Sequence, residues 1–205
     1  AIWIMDTDGS RQRFLEKGGN ARWSPTGDRI LFTADGDNGK PQVFVRWMTN
    51  EGSISQVTRS ELKPVSPTWA PDGNSIAFVA VVPETDNWKI ELPEKPEGAT
   101  WTKAPRILDD LFYRQEKVGF MEPGFSHLFI VPASTGKASQ LTEGRWNVGA
   151  RRSPNGLFDG ANLSWSPDSK SILFDGYGAG SDGGLVTDYR LSHIYRLDVE
   201  SRELQ

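Results

Sequence analysis

The chain contains no cysteine, which excludes disulfides and thiolate metal sites but does not fix a compartment. It has only two histidines, few for a metal centre or for a site built from clustered imidazoles and carboxylates. No apolar run approaches the roughly eighteen residues that a membrane-spanning helix needs. Basic residues are not in excess: 23 Lys and Arg face 27 Asp and Glu, giving a net charge of -4. There is no basic stripe, so neither a nucleic acid nor a membrane is the expected partner. A long amphipathic helical pattern is also missing. What is abundant is turn chemistry and aromatic bulk, with 21 Gly, 13 Pro, 8 Trp and 10 Phe. That combination suits a turn-rich β protein with a ring-filled core.

One short sentence is written three times. It reads Ala21-Arg22-Trp23-Ser24-Pro25-Thr26-Gly27 with Ile30-Leu31-Phe32, then Pro67-Thr68-Trp69-Ala70-Pro71-Asp72-Gly73 with Ile76-Ala77-Phe78, then Asn162-Leu163-Ser164-Trp165-Ser166-Pro167-Asp168 with Ile172-Leu173-Phe174. Each copy is a strand ending in Trp, a tight turn and an apolar strand. Pro sets φ for the turn, and Asp or Gly tolerates the tight backbone of the later turn positions. A third strand alternates apolar residues, as in Val43-Phe44-Val45, Leu128-Phe129-Ile130 and Ile194-Tyr195-Arg196. A short fourth strand closes each unit, as in Gln56-Val57-Thr58 and Gln140-Leu141-Thr142. Equivalent units of this kind stack around an axis. The expected fold is therefore all-β, a β-propeller fragment of about three and a half four-stranded blades.

The repeat divides the chain into a half blade over 1–19, a blade over 20–60, a blade over 61–142, and a blade over 143–205. The chain opens and closes inside strand-like runs, so it reads as a fragment, with end faces and edges that favour self-association or further blades. Trp23 and Trp69 are 46 residues apart, but Trp69 and Trp165 are 96 apart. The surplus falls at 83–126, inside the third unit, and at 143–160, expected to precede the fourth. Insertions project from propeller faces, where ligands and neighbouring domains meet them.

The Trp-Ser-Pro-Asp turn followed by an Ile-x-Phe strand resembles the repeat of TolB-type and WD40-like propellers. The long insertion adds Pro105-Arg106-Ile107-Leu108-Asp109-Asp110-Leu111-Phe112-Tyr113-Arg114, then Gly119-Phe120, then Ser126-His127-Leu128-Phe129-Ile130-Val131. This resembles the propeller of prolyl oligopeptidase family serine peptidases, on the acylaminoacyl-peptidase-like branch. The resemblance implies a propeller that caps a C-terminal α/β-hydrolase domain carrying a Ser-Asp-His triad. It also implies that the propeller screens short peptide substrates and docks that domain. No Gly-x-Ser-x-Gly elbow occurs here; Gly180-Ser181-Asp182-Gly183 is preceded by Ala179, where the motif needs Gly two residues before Ser. No catalytic residue is therefore assigned. The competing expectation is a TolB-like protein-binding propeller without chemistry.

Candidate binding residues lie in the insertions. Tyr113 and Arg114 fall in the first, Arg151 and Arg152 in the second. A guanidinium fork suits a peptide carboxylate. Surface pairing with acids such as Asp109, Asp110 and Glu116 is the plainer account. Trp23, Trp69 and Trp165, with Pro25, Pro71 and Pro167, recur at one repeat position, so packing between units explains them without a ligand. His127 and His193 each follow Ser and begin a third strand, which argues for a structural role. Asp6-Thr7-Asp8-Gly9 and Asp35-Gly36-Asp37-Asn38-Gly39 lack the spacing of a calcium loop and read as turns. No metal or cofactor is expected.

Overall fold

The computed structural model describes residues 1–49, 52–84, 94, 96–100, 114–115, 119–120, 124–134, 136–149, 161–177 and 192–205. The chain divides into two compact units, one formed by Ala1–Val82 with Phe125–Gln205, the other by Pro83–Gly124.

The larger unit is built from antiparallel sheets in chain order. Sheet 1 holds β1 (Ile2–Ile4) and β2 (Arg13–Glu16). Sheet 2 is a meander of β3 (Gly19–Trp23), β4 (Arg29–Asp35), β5 (Pro41–Trp47) and β6 (Ile54–Gln56). Sheet 3 begins with β7 (Val65–Trp69) and β8 (Ser75–Pro83). The smaller unit comes next along the chain, with a hairpin of β9 (Arg114–Gln115) and β10 (Gly119–Phe120). Then β11 (Gly124–Pro132) and β12 (Ser139–Gln140) complete sheet 3. Sheet 4 holds β13 (Asn147–Val148), β14 (Ser164–Trp165), β15 (Ser171–Tyr177) and β16 (His193–Asp198). A bridge from Leu197 to Leu204 continues it outward.

Period-two alternation explains how these sheets stack. In β4, Ile30 and Phe32 point back to Ile2 and Leu15 of sheet 1. Leu31 points forward, joining Trp69, Ile76 and Phe78 of sheet 3. In β8, Ala77 and Val79 then pack against Ile172, Phe174 and Leu197 of sheet 4. The second strand is apolar on both faces because each of its faces meets a neighbouring sheet. These layered four-stranded sheets are a segment of a β-propeller.

The three Pro-containing turns close alike. In each, an N–H is bonded across the hairpin mouth to a carbonyl five residues on: Ser24 N to Arg29 O, Ala70 N to Ser75 O, Ser166 N to Ser171 O. The residue after the turn centre has positive φ, 72° at Gly27, 69° at Gly73 and 61° at Ser169. The turns also link to each other. Arg29 donates to Gly73 O at 3.0 Å, and Asp72 N–H donates to Ser169 Oγ at 3.0 Å.

The Trp positions differ in depth. Trp69 is 7% exposed; its Nε1 donates to Arg22 O, and its ring lies 4.9 Å from the Arg29 guanidinium, which Trp47 covers from 5.0 Å. Trp23 is 52% exposed. Trp69 leans on β3 and β4, whereas sheet 1 has only the counterparts of third and fourth strands. Trp165 is half-buried against the sheet 3–sheet 4 core, and its Nε1 is buried with no hydrogen-bond partner among the described residues.

Candidate functional site

The long departures from the repeat begin and end at one end of the strands of sheets 3 and 4. The chain leaves β8 at Pro83 and returns on β11 at Gly124. It leaves β15 at Tyr177 and returns on β16 at His193. The remaining departure begins after β13, whose Asn147 and Val148 pair with Tyr177 and Gly176.

Within the stretch 143–160, expected to precede the fourth blade, Asn147 and Val148 pair with β15 as an inner strand of sheet 4. The other sheets show why the chain can be interrupted there. Between Gly19↔Thr33 and Arg22↔Leu31 the inner strand carries one extra residue, and the same bulge falls between Val65↔Val79 and Thr68↔Ala77. The residues after Gly19 and Val65, Asn20 and Ser66, have φ of 54° and 51°. In sheet 4, Gly149 N–H donates to Asp175 O at 2.7 Å, and pairing resumes at Ser164↔Leu173. The insertion therefore occupies the bulge position. A bulge already leaves a residue unpaired and bends the strand, so added residues there disturb the ladder least.

Hydrogen bonds tie the roots together. Asn147 Oδ1 accepts from Ser126 N–H at 2.9 Å and from Ser126 Oγ at 3.1 Å, and the Ser126 hydroxyl is also 2.8 Å from Val148 O. Asn162 N–H reaches Asp175 Oδ1 at 3.4 Å. Beneath lies an aromatic cluster in which the Trp146 ring meets Phe174, Tyr195 and His127. Gly176 is needed there, since a Cβ would come within 2.9 Å of the Tyr195 ring. Partial burial pushes the Tyr195 phenol up from its ordinary pKa, and burial pushes the His127 imidazole down. Ser126 and His127 are adjacent in a strand, so their side chains face opposite ways and cannot act as nucleophile and base.

Of the predicted binding residues, Arg114 is described. It is exposed on β9, pairs with Phe120 of β10, and holds its guanidinium 5.9 Å from the Phe120 ring. Tyr113, Arg151 and Arg152 lie outside the described residues. Among the described residues, no group of three His, Cys, Asp or Glu could hold a metal ion. The Asp-rich turns spend their polar atoms locally: Asp8 Oδ1 accepts from Ser10 N–H, and Asn38 Oδ1 accepts from Lys40 N–H. The shared root of the insertions was not legible in sequence. It depends on register between β13 and β15, and neither β13 nor the bulge has a residue signature.

No protein-family model matches the chain. It is 24% identical over 177 residues to the uncharacterized peptidase YuxL of Bacillus subtilis, an alignment covering 84% of this chain and 24% of that protein. The chain thus spans about a quarter of the length of that curated relative. In fold it is similar to the acylaminoacyl peptidase of Pyrococcus horikoshii, with a TM-score of 0.64 and 16% identity over 99% of this chain and 27% of that one. It is also similar to TolB of Acinetobacter baumannii, with a TM-score of 0.54 and 17% identity over 99% of this chain and 36% of that one. At these identities the structural likenesses speak for fold alone. The chain is a propeller segment similar in sequence to a peptidase and in fold to parts of an acylaminoacyl peptidase and of TolB.

Proposed function

We propose that this chain is the non-catalytic propeller segment of a serine peptidase of the prolyl oligopeptidase type acting on short peptides. In this reading it gates substrate access and docks an α/β-hydrolase domain. The observation that carries the reading is the likeness to a peptidase across 84% of the chain. The long insertion that resembles the acylaminoacyl-peptidase-like branch supports it, as does the clustering of insertion roots at one end of sheets 3 and 4. Tyr113, Arg114, Arg151 and Arg152 sit in those insertions and are the proposed contacts for peptide carboxylates. The chain's partners are then the hydrolase domain, further blades and the peptide itself, with self-association when the chain is isolated.

The test is fluorophosphonate labelling of the native protein, its band identified with an antibody against this chain. The probe reacts with a serine activated as in a triad. A labelled band larger than this chain supports the reading, and the isolated chain should neither label nor hydrolyse peptide esters. The likeness to TolB favours a second reading, a propeller that binds another protein without chemistry. A folded, unlabelled native protein would select it.

A further inference from the structure

Sheets 2 and 3 contain the same buried clasp built from different side chains. In sheet 2, Thr58 Oγ1 accepts from Val43 N–H at 2.9 Å and donates to Gln42 Oε1 at 2.8 Å. Gln42 Oε1 also accepts from Ser60 N–H at 3.1 Å, and its Nε2 donates to Ser60 O at 2.8 Å. The third strand is thereby tied to the connection that leads to the next sheet. In sheet 3, Thr142 Oγ1 accepts from Leu128 N–H at 3.0 Å, and His127 Nδ1 lies 3.2 Å from Thr142 Oγ1. The Gly144 carbonyl, the counterpart of Ser60 O, lies beside the imidazole and favours its N–H. His127 therefore stands where sheet 2 has Gln42. Gln56 and Gln140 complete the match, donating to Thr58 O at 2.9 Å and to Thr142 O at 2.7 Å.

The equivalence suggests a role for the ring. Leu128 N–H uses one lone pair of the Thr142 hydroxyl, whose proton, directed as Thr58 directs its own to Gln42 Oε1, would go to Nδ1. On that pattern Nδ1 is the unprotonated acceptor and the proton sits on the other nitrogen, an arrangement that the tautomer measured below decides. Gln cannot change this role with pH, but His can. Adding a proton to Nδ1 makes the Thr142 hydroxyl swing its own proton away from the ring to accept instead, and places a charge at a 4% exposed position.

The clasp sits where movement would matter. His127 lies just after the return from the 83–124 insertion, and Ser126 beside it bonds Asn147 at the root of the next insertion. We propose that His127 is an acid-sensitive latch: neutral, it fastens the 142–146 connection to β11, and protonated, it releases that connection and the insertion roots bound to it. This does not depend on the peptidase reading.

Burial, the dominant influence, disfavours the charged ring, while the Gly144 carbonyl and Glu143 favour it. Other titratable or charged groups on the elements packed around it are Arg145 on the same connection and Asp175, His193 and Tyr195 on sheet 4; β8 alongside carries none. The folded ring titrates below its ordinary 6.5, so the clasp is intact above that value and is lost as pH falls.

The test follows the imidazole resonances of the whole chain by NMR, with His127 identified by the His193→Gln variant. His127 should titrate below 6.5 and carry its proton on the nitrogen other than Nδ1 at neutral pH. Amide exchange at Leu128 and at 142–146, corrected for intrinsic rates, should accelerate as pH falls below 6.5, by at most about tenfold per pH unit. His127→Gln, copying Gln42, should keep the fold and abolish that acceleration. The proposal is overturned if Nδ1 is protonated at neutral pH. It also fails if exchange is insensitive to acid in the unmodified chain, or if His127→Gln retains the same acid response.

Discussion

Replacing Trp69 by Ala in this chain should cost far more stability than replacing Trp23, although the two occupy the same place in the repeat. Trp69 is almost fully buried between sheets 2 and 3, whereas about half of Trp23 is in water. Removing a buried Trp costs about 3–5 kcal/mol, through lost burial and the cavity left behind. Here it also strips one wall from Arg29, which is held between Trp47 and Trp69, and frees Arg22 O. A cation–ring contact of this kind is worth about 0.5–1 kcal/mol. Trp23→Ala forfeits only partial burial and should cost about 1 kcal/mol or less. With a urea slope of about 2 kcal/mol per molar, the midpoint should fall by roughly 1.5–2.5 M for Trp69→Ala and by under about 0.5 M for Trp23→Ala. Urea unfolding followed by circular dichroism measures both. Equal shifts, or a larger one for Trp23→Ala, would refute the claim that contact with the preceding sheet sets the value of the repeated Trp.

The turns, the clasp and one carboxylate give further expectations. Gly27→Ala meets open space and should cost only its left-handed backbone, about 1–2 kcal/mol; Gly73→Ala should cost more, because its Cβ would press on an Arg29 guanidinium that two Trp rings hold in place. Comparing the two thermal midpoints checks this. Thr142→Val keeps the shape but strands the Leu128 N–H, and a loss of about 1–3 kcal/mol is expected in urea, with Thr58→Val behaving alike through Val43 N–H. The Asp28 carboxyl is held down at about 2, first by the Thr26 hydroxyl and then by Ser24 and Arg29. Its stabilising effect should be present above its ordinary 3.8 and be lost as pH falls toward 2. Asp28→Asn should flatten the acid limb of a stability-versus-pH curve, and an unchanged limb would show that the carboxylate is not linked to folding.

The sequence by itself determined the repeat and therefore the blades. Pro25, Pro71 and Pro167 with Gly27, Gly73 and Asp168 are turn chemistry that acts within a few residues, so the hairpins could be located without a neighbour. Alternation in Val43-Phe44-Val45 and Leu128-Phe129-Ile130 likewise marked third strands from local pattern alone. The existence of the insertions was legible as excess spacing between Trp69 and Trp165. Tertiary structure decided what those signs meant. It buried Trp69 and left Trp23 exposed, because burial depends on which strands stand in the preceding sheet. It placed one insertion at a strand bulge, because register between β13 and β15 is a property of pairing and leaves no mark in residue identity. It made His127 the counterpart of Gln42, because their partners Thr142 and Thr58 lie across the ladder, 15 and 16 residues along the chain. Local backbone preference writes turns and strands into a sequence, but the side of a sheet that meets water, and the atom a buried proton must face, are settled only when distant segments close around them.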